Sequence, residues 1–500
     1  MPAPDVRWLP EGIGGPAFED DPAAFEWTDD GFRPEPWSHA VLYELHLGTF
    51  SPSGTAVAAI DHLDHLVELG VTHVEVMPLG TYGGRWGWGY DGVYWSAPQH
   101  TYGSPNDLRA FVDACHARGL GVIVDVVYNH LGPVGADDPG FEPFLTDAHH
   151  TPWGKAINLD GPGSRVVRDR IVDDATMWIV DYHADGLRLD AIHALVDDSP
   201  EHLLAELSRT VEGLGLDREV VLIDEDERPD STPVRPRTDG GYGLTAKWAD
   251  ELHHAVHAYL TGERHAYYEP YGDPELIGKE LASGAPWKVV SLQNHDQVGN
   301  RPFADRLHQT TSIETVLTVL PLFLLGPSVP MLFQGEEWAA STPFLYFTSH
   351  PDDALGRAVR EGRRAEFAAA HEGLAPEDIP DPQSVATFER SMLRWVECEE
   401  PAHRAMLDWY RALIALRRAE PDLRSCSAAD TVVLRGVPPR TLVVRRRDLV
   451  VAANFGSTAV AVGEGWREVL LANRPEVALL GLGGTIAPHG FLVARERGPQ

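Results

Sequence analysis

Short apolar runs recur along the first two thirds of the chain, and most are followed by a stretch whose apolar positions repeat with helical spacing. The runs predict strands at 41–46, 73–77, 121–127, 183–190, 220–223, 245–248, 289–292 and 329–334. Between them, Ile60, Leu63 and Val67 define the buried side of an amphipathic helix closed by Gly70. Further helices are predicted around Asp107 to Arg118 and over 166–182, 201–213 and 251–260. Strand and helix in alternation over such a span is the sequence form of an α/β fold, a (β/α)8 TIM barrel.

The flanks read differently. Residues 1–36 are rich in Pro, Gly, Asp and Glu with little periodicity, which predicts an extended arm anchored by Phe18, Phe25, Trp27 and Phe32. Residues 131–164 form a Pro/Gly-rich insertion after strand 3, too long for an ordinary connection and therefore expected to be functional. From 426 to 500 the pattern shifts to short β runs such as Thr431-Val432-Val433-Leu434, which predict a small C-terminal antiparallel β domain. The predicted division is arm 1–36, barrel 37–425 with its insertion, and β domain 426–500.

Composition narrows the function classes. Forty-one basic against 75 acidic residues give a formal charge of -34, which argues against nucleic acid and anionic membrane surfaces as partners. With 43% hydrophobic residues the chain can bury a large core. The N-terminus carries no signal-peptide pattern, and the apolar run 316–325 contains Thr318 and Pro321 and is too short to span a bilayer. Cys115, Cys398 and Cys426 lack metal-ligand spacing, and Cys115 shares a helical face with Leu108, Phe111 and Val112. These features predict a cytoplasmic, reducing compartment without disulfides.

The chemistry concentrates at strand ends. In His183-Ala184-Asp185-Gly186-Leu187-Arg188-Leu189-Asp190, two leucines alternate with two charged residues, so Arg188 and Asp190 share a face of the strand. A bidentate Arg188 clamp would keep Asp190 ionised and aimed as a nucleophile; a structural ion pair at a strand end is the bland alternative. Three other strands end similarly: 121–127 leads to Tyr128-Asn129-His130, 220–223 to Asp224-Glu225-Asp226-Glu227, and 289–292 to Gln293-Asn294-His295-Asp296. Acidic and His residues after the carboxyl ends of several strands fit an active site on that face of a parallel barrel.

These four stretches, DVVYNH, GLRLDAIH, the strand ending at Glu225 and NHD, resemble in order and spacing the signature regions of the α-amylase superfamily of retaining glycoside hydrolases and transglycosidases. Retention needs two carboxyls about 5–5.5 Å apart across the anomeric carbon. The resemblance implies Asp190 as nucleophile, Glu225 as proton donor and Asp296 as the residue that helps distort the sugar. Spacing alone does not separate the four acids of DEDE. The resemblance further implies sugar contacts from His130 and His295, support from Asp125, an aromatic platform at Tyr90 beside Asp91, and a leaving-group-side contact at His193. Trp86, Trp88, Trp95 and Trp153 are candidates to extend the platform. Asn129 matches a calcium-ligand position of many α-amylases, but its partner carboxylates are not evident. No metal and no organic cofactor is expected.

Longer stretches, among them VLYELHLGTF, GWGYDGVYWSAPQHTYG, LQNHDQVGNR and EEWAASTPFLYFTSH, resemble the maltooligosyltrehalose trehalohydrolase family over about residues 6 to 410. The resemblance implies hydrolysis of the α-1,4 bond next to a terminal trehalose unit, with an oligosaccharide α-glucan as the partner. The departures are a start almost at the arm, without the β-sandwich domain relatives carry; a short segment between Glu280 and Val289; and IDEDERPD, with Asp224 where Ala and Pro229 where Asn are expected. Hydrolysis or transglycosylation of other short α-glucans is the enzymatic alternative. A catalytically silent glucan-binding protein is the other, opposed by the intact Asp190, Glu225 and Asp296.

Overall fold

A computed structural model describes residues 3–137, 139–226, 228–370, 374–425, 427–434, 437–462, 466–473 and 485–496. Glu227 and Cys426, singled out above, lie outside the described residues, as does Asp138 of the insertion.

Eight parallel strands close into a barrel: β1 Leu42–Leu45, β2 His73–Val76, β3 Gly121–Val126, β4 Gly186–Leu189, β5 Val221–Asp224, β6 Ala246–Trp248, β7 Lys288–Ser291 and β8 Val329–Phe333. Each pairs with its sequence neighbours, and β1 closes the ring by pairing Leu42 with Met331 of β8. Both faces of a barrel strand are buried, so the strands read as near-continuous apolar runs.

The alternation within those runs decides what enters the barrel. Outward residues such as Tyr43, Val74, Val124, Leu187 and Leu189 join the core between strands and helices. Inward residues form two layers. A dry floor of Leu42, Ile123, Val221, Ile223, Ala246, Val289, Val329 and Met331 is completed by Trp37, whose indole Nε1 donates to Pro286 O at 2.8 Å. Above it, toward the carboxyl ends, the same faces of β1, β2, β3 and β4 present Glu44, Glu75, Asp125 and Arg188, all buried. A charged upper layer on an apolar floor is a site held by rigid elements, not by loops alone.

Several expectations need correction. The helix predicted over Ile60 and Val67 is two short ones, Ala56–Ile60 and Leu63–Leu69; its buried stripe is Leu63, Leu66 and Leu69, and Val67 is exposed. The αL cap at Gly70 is present, its amide donating to Leu66 O and Val67 O. In the arm, Trp27 stacks on His183 at 3.7 Å and Phe32 on His116 at 4.0 Å, but the Phe18 side chain is exposed, and its amide donates to Trp8 O at 3.0 Å. The arm is held by apolar contacts from Leu9, Val6 and Ile13 and by polar ones: Asp29 accepts from both His116 and His183, and Asp20 binds buried Arg109. The 131–164 insertion contains a hairpin, Leu145–Thr151 with Gly154–Ile157, whose turn carries Trp153.

Beyond the barrel, β9 Thr431–Val433, β10 Thr441–Arg446, β11 Leu449–Asn454, β12 Trp466–Ala472 and β13 Gly490–Glu496 form an antiparallel sheet in the order 9-10-11-13-12. It is tied to the barrel by buried Arg446, which donates to Leu325 O, Gly326 O and Leu423 O and so satisfies carbonyls at a helix end.

Candidate active site

Arg188 is the hub. Its side chain is fully buried, and Nη1 donates to both oxygens of Asp125 at 2.9 and 3.0 Å and to Asp190 Oδ1 at 2.7 Å. The expected bidentate clamp on Asp190 is therefore corrected: the guanidinium is shared between two carboxylates, because β3 and β4 pair Asp125 directly with Arg188. The second oxygen of Asp190 is held by Asn129, whose amide donates to Oδ2 at 2.7 Å and to the Asp190 carbonyl at 2.8 Å. The two donors fix Asp190 in orientation, with its side chain 12% exposed at the mouth of the barrel.

Glu225 lies one strand over. Arg188 Nη2 stands 3.6 Å from Oε2 of Glu225, and the same oxygen accepts from the Ala191 amide at 2.7 Å. Burial pushes its carboxyl up to about 8, with Asp190 and Asp296 adding to the rise and Arg188 opposing it. A carboxyl that keeps its proton near neutrality beside one held by two donors is the environment split that separates an acid from a nucleophile.

The rest of DEDE divides by contact. Asp226 is buried and bound by Arg228 at 2.6 Å. Asp224 belongs to β5 itself, where both its oxygens are buried without a hydrogen-bond partner among the described residues. Burial raises its carboxyl to about 8, with Lys247 opposing.

Tyr90 joins the cluster through its hydroxyl, which donates to Asp125 Oδ2 at 2.6 Å, while its ring stacks on His295 at 5.0 Å. Gly89 makes this placement possible: it has φ +104°, and a Cβ there would stand 2.4 Å from the Pro78 carbonyl oxygen. Asp125, buried under Tyr90, is raised to about 7 by burial, with Arg188 opposing. His295 Nε2 lies 3.5 Å from Asp296 Oδ1, and the Asp296 side chain is half exposed to the mouth.

The remaining residues line the rim. His130 stacks under Trp153 at 5.0 Å and hydrogen-bonds Asn129. His193 is exposed, with its ring 6.3 Å from Trp153. Asp91 faces His350 at 3.9 Å. Of the tryptophans proposed as platform, Trp153 is half exposed at the rim. Trp88 packs edge-on against His295, Trp86 stacks on Phe388, and Trp95 lies in the core against Tyr128 and Phe144. A cavity of about 660 Å³ lies beside the Gly/Trp loop, lined by residues such as Trp86, His100, Tyr102 and Phe388 and by none of the carboxylates above.

Sequence reasoning missed Glu44, the Ala191 amide and the role of Asn129. Glu44 looked like an ordinary inward position of a strand, and a backbone donor has no side-chain signature.

A closed parallel barrel with two carboxyls, Asp190 and Glu225, gathered round one buried guanidinium at its carboxyl end defines a glycoside hydrolase of the α-amylase type. A model of the alpha amylase catalytic domain matches residues 24–136. The chain is 45% identical to a malto-oligosyltrehalose trehalohydrolase of Arthrobacter ramosus, over 93% of this chain and 86% of the relative. It is 38% identical to the one of Saccharolobus solfataricus, over 84% and 75%. The protein belongs to the malto-oligosyltrehalose trehalohydrolase family. Among solved structures, a candidate alpha amylase of Salmonella typhimurium superposes with a TM-score of 0.90 at 36% identity, covering 99% of this chain and 88% of that one. A pullulanase of Paenibacillus barengoltzii shares the fold at a TM-score of 0.71 and 18% identity, over 99% and 83%. Among the described residues, no helix is long and apolar enough to cross a membrane.

Proposed function

We propose that this protein hydrolyses the α-1,4 bond adjacent to a terminal trehalose unit of a maltooligosaccharide, releasing trehalose with retention of configuration. Family membership supports the substrate. The observation that carries the chemistry is one guanidinium, Arg188, placed between Asp125, Asp190 and Glu225, with Asp190 gripped by two donors and Glu225 pushed up to about 8 by burial.

In the first step an Asp190 oxygen attacks the anomeric carbon while Glu225 passes its proton to the bridging oxygen. The C–O bond breaks, trehalose leaves, and the shortened chain remains as a β-linked ester of Asp190. Water then adds to the same carbon from the opposite face as Glu225 takes its proton, and the ester bond breaks to give the α anomer. Tyr90 offers its ring to the sugar's C–H face, and Asp125 holds the Tyr90 hydroxyl and Arg188. Asp296 and His295 take hydroxyls of the distorted sugar. His130, Asp91 and Trp153 flank the cleft, with His193 on the leaving-group side.

Incubation with maltotriosyltrehalose, followed by chromatography and proton NMR, tests this reading. Trehalose and α-maltotriose in equal amounts support it; a β product first, or glucose and maltose without trehalose, contradicts it.

A further inference from the structure

We infer that Glu44, rising from β1 inside the barrel, is the positioning residue for His295: it grips the imidazole ring from below and turns Nε2 as a hydrogen-bond donor toward the sugar. The inference rests on the reading of His295 as a sugar-binding residue.

The geometry is reciprocal. Glu44 Oε2 accepts from the His295 backbone amide at 3.0 Å, and Oε1 lies 2.5 Å from His295 Nδ1. Both side chains are 1% exposed, so no water competes for either bond. The ring has little room to turn. Tyr90 stacks on one face, and Trp88 meets it edge-on at 5.5 Å with the planes at 87°. Trp248 closes a third side at 6.0 Å.

With Nδ1 given to a carboxylate, the protonation of the ring decides what Nε2 offers. Neutral, with its single proton on Nδ1, the ring would present only a lone pair; as a cation it presents an N–H. The titratable and charged groups around the ring are Glu44 from β1 and His46 just after it, Glu75 from β2, Asp125 from β3, Arg188 from β4, and Asp296 beside it on the β7 loop. Burial works against a charge on the ring, but Asp296 and Glu44 outweigh it and hold the imidazole up to about 9.

Glu75 is paired in register with Glu44 across β1 and β2, and both its oxygens lack hydrogen-bond partners among the described residues. Burial first, then the neighbouring Glu44, pushes its carboxyl well above the usual range. Of the two paired glutamates, Glu44 is therefore the one that meets the ring, one oxygen on Nδ1 and the other on the backbone amide. The resulting Nε2–H, 3.5 Å from Asp296 Oδ1, can bridge that carboxylate to a sugar hydroxyl, a contact of the kind that strengthens in the transition state.

The experiment is 15N NMR of the full chain labelled at histidine, with His295 assigned by its loss in His295→Gln. At pH 7.5 the wild-type ring is expected to show both nitrogens protonated, and Glu44→Gln to return it to a neutral tautomer. Glu44→Gln is also expected to lower kcat roughly ten- to a hundredfold with KM changed less than about threefold, and Glu44→Asp to recover part of the loss by restoring the charge. A neutral His295 in the wild type overturns the inference, and that spectrum decides even if Glu44→Gln does not fold. So does a Glu44→Gln protein that keeps a cationic His295 and wild-type kcat. A cationic ring that Glu44→Gln neutralises, in a protein that leaves trehalose-ended glucans uncleaved, supports the role of Glu44 and counts against the substrate reading instead.

Discussion

The amide of Ala191 donates to Glu225 Oε2 at 2.7 Å, so the residue that follows Asp190 in the chain orients the carboxyl on the next strand. Ala191 reaches this bond only by adopting φ +41°, a left-handed conformation that costs a non-glycine residue roughly 1–2 kcal/mol. The strain is local and tied to the site. Ala191→Gly keeps the donor and relaxes the backbone, so its kcat is expected within about threefold of wild type, under 1 kcal/mol of barrier. Ala191→Val places a β-branched residue at positive φ and shifts the amide; kcat is expected to fall at least about tenfold, with a lower Tm. Steady-state kinetics and calorimetry on the two variants decide the matter, and equal behaviour would remove the amide from the account.

The proton on Glu225 fixes the pH dependence. The group acts protonated and is held at about 8, so kcat/KM is expected to be level below that value and to fall about tenfold per pH unit above it. Glu225→Gln is expected to remove the limb at about 8 and leave only the fall that His295 imposes near 9. It also spares substrates with good leaving groups, such as α-glucosyl fluoride, relative to the natural linkage. A limb that stays at about 8 in Glu225→Gln would assign the acid to another residue.

The nucleophile leaves a stereochemical mark. Asp190→Asn removes the attacking oxygen and keeps size and shape, and turnover is expected to drop at least about a thousandfold with the fold intact. In Asp190→Gly, azide added as an external nucleophile enters the vacated space and gives a β-glycosyl azide. With Glu225→Ala it attacks the covalent ester and gives the α product. NMR of the azide products separates the two roles, and reversed stereochemistry would exchange them.

Much of this was legible in the chain because barrel strands carry two periodicities at once. Their outward leucines and valines marked the elements, and the charged residues at their ends marked the catalytic face. Arg188 beside Asp190 followed from the period of a strand alone. The sharing of Arg188 with Asp125 did not, because it depends on the register between β3 and β4, which are about sixty residues apart. The break between Ile60 and Leu63 also escaped, since a short kink leaves the apolar spacing nearly helical. Trp153 could be seen as aromatic but not as the tip of a hairpin over His130. Glu44 was hidden by its neighbours: a charge inside an apolar run signals a buried network only when its partner on another strand is known.

Asp224 offers a test on stability rather than rate. Its carboxyl is raised from its ordinary value to about 8, so it stabilises the fold only while protonated, and that contribution is lost as pH rises from about 4 through about 8. Asp224→Asn fixes the neutral form without removing a hydrogen bond among the described residues. The Tm advantage of the variant over wild type is expected to grow from pH 5 to pH 8.5. A constant or shrinking gap would mean that the buried carboxyl has a partner after all.

The leaving-group side of the cleft is expected to select a trehalose end. A trehalose terminus bends back through its α,α-1,1 link, and a straight α-1,4 chain in the same subsite would leave polar groups unpaired at roughly 1–3 kcal/mol each. The most direct measurement is kcat/KM for maltotriosyltrehalose against maltopentaose, taken side by side under the same conditions. A ratio of at least about ten in favour of the trehalose-ended substrate is expected, with trehalose as the released product. Equal values, or glucose and maltose appearing without trehalose, would place the protein among general α-glucan hydrolases.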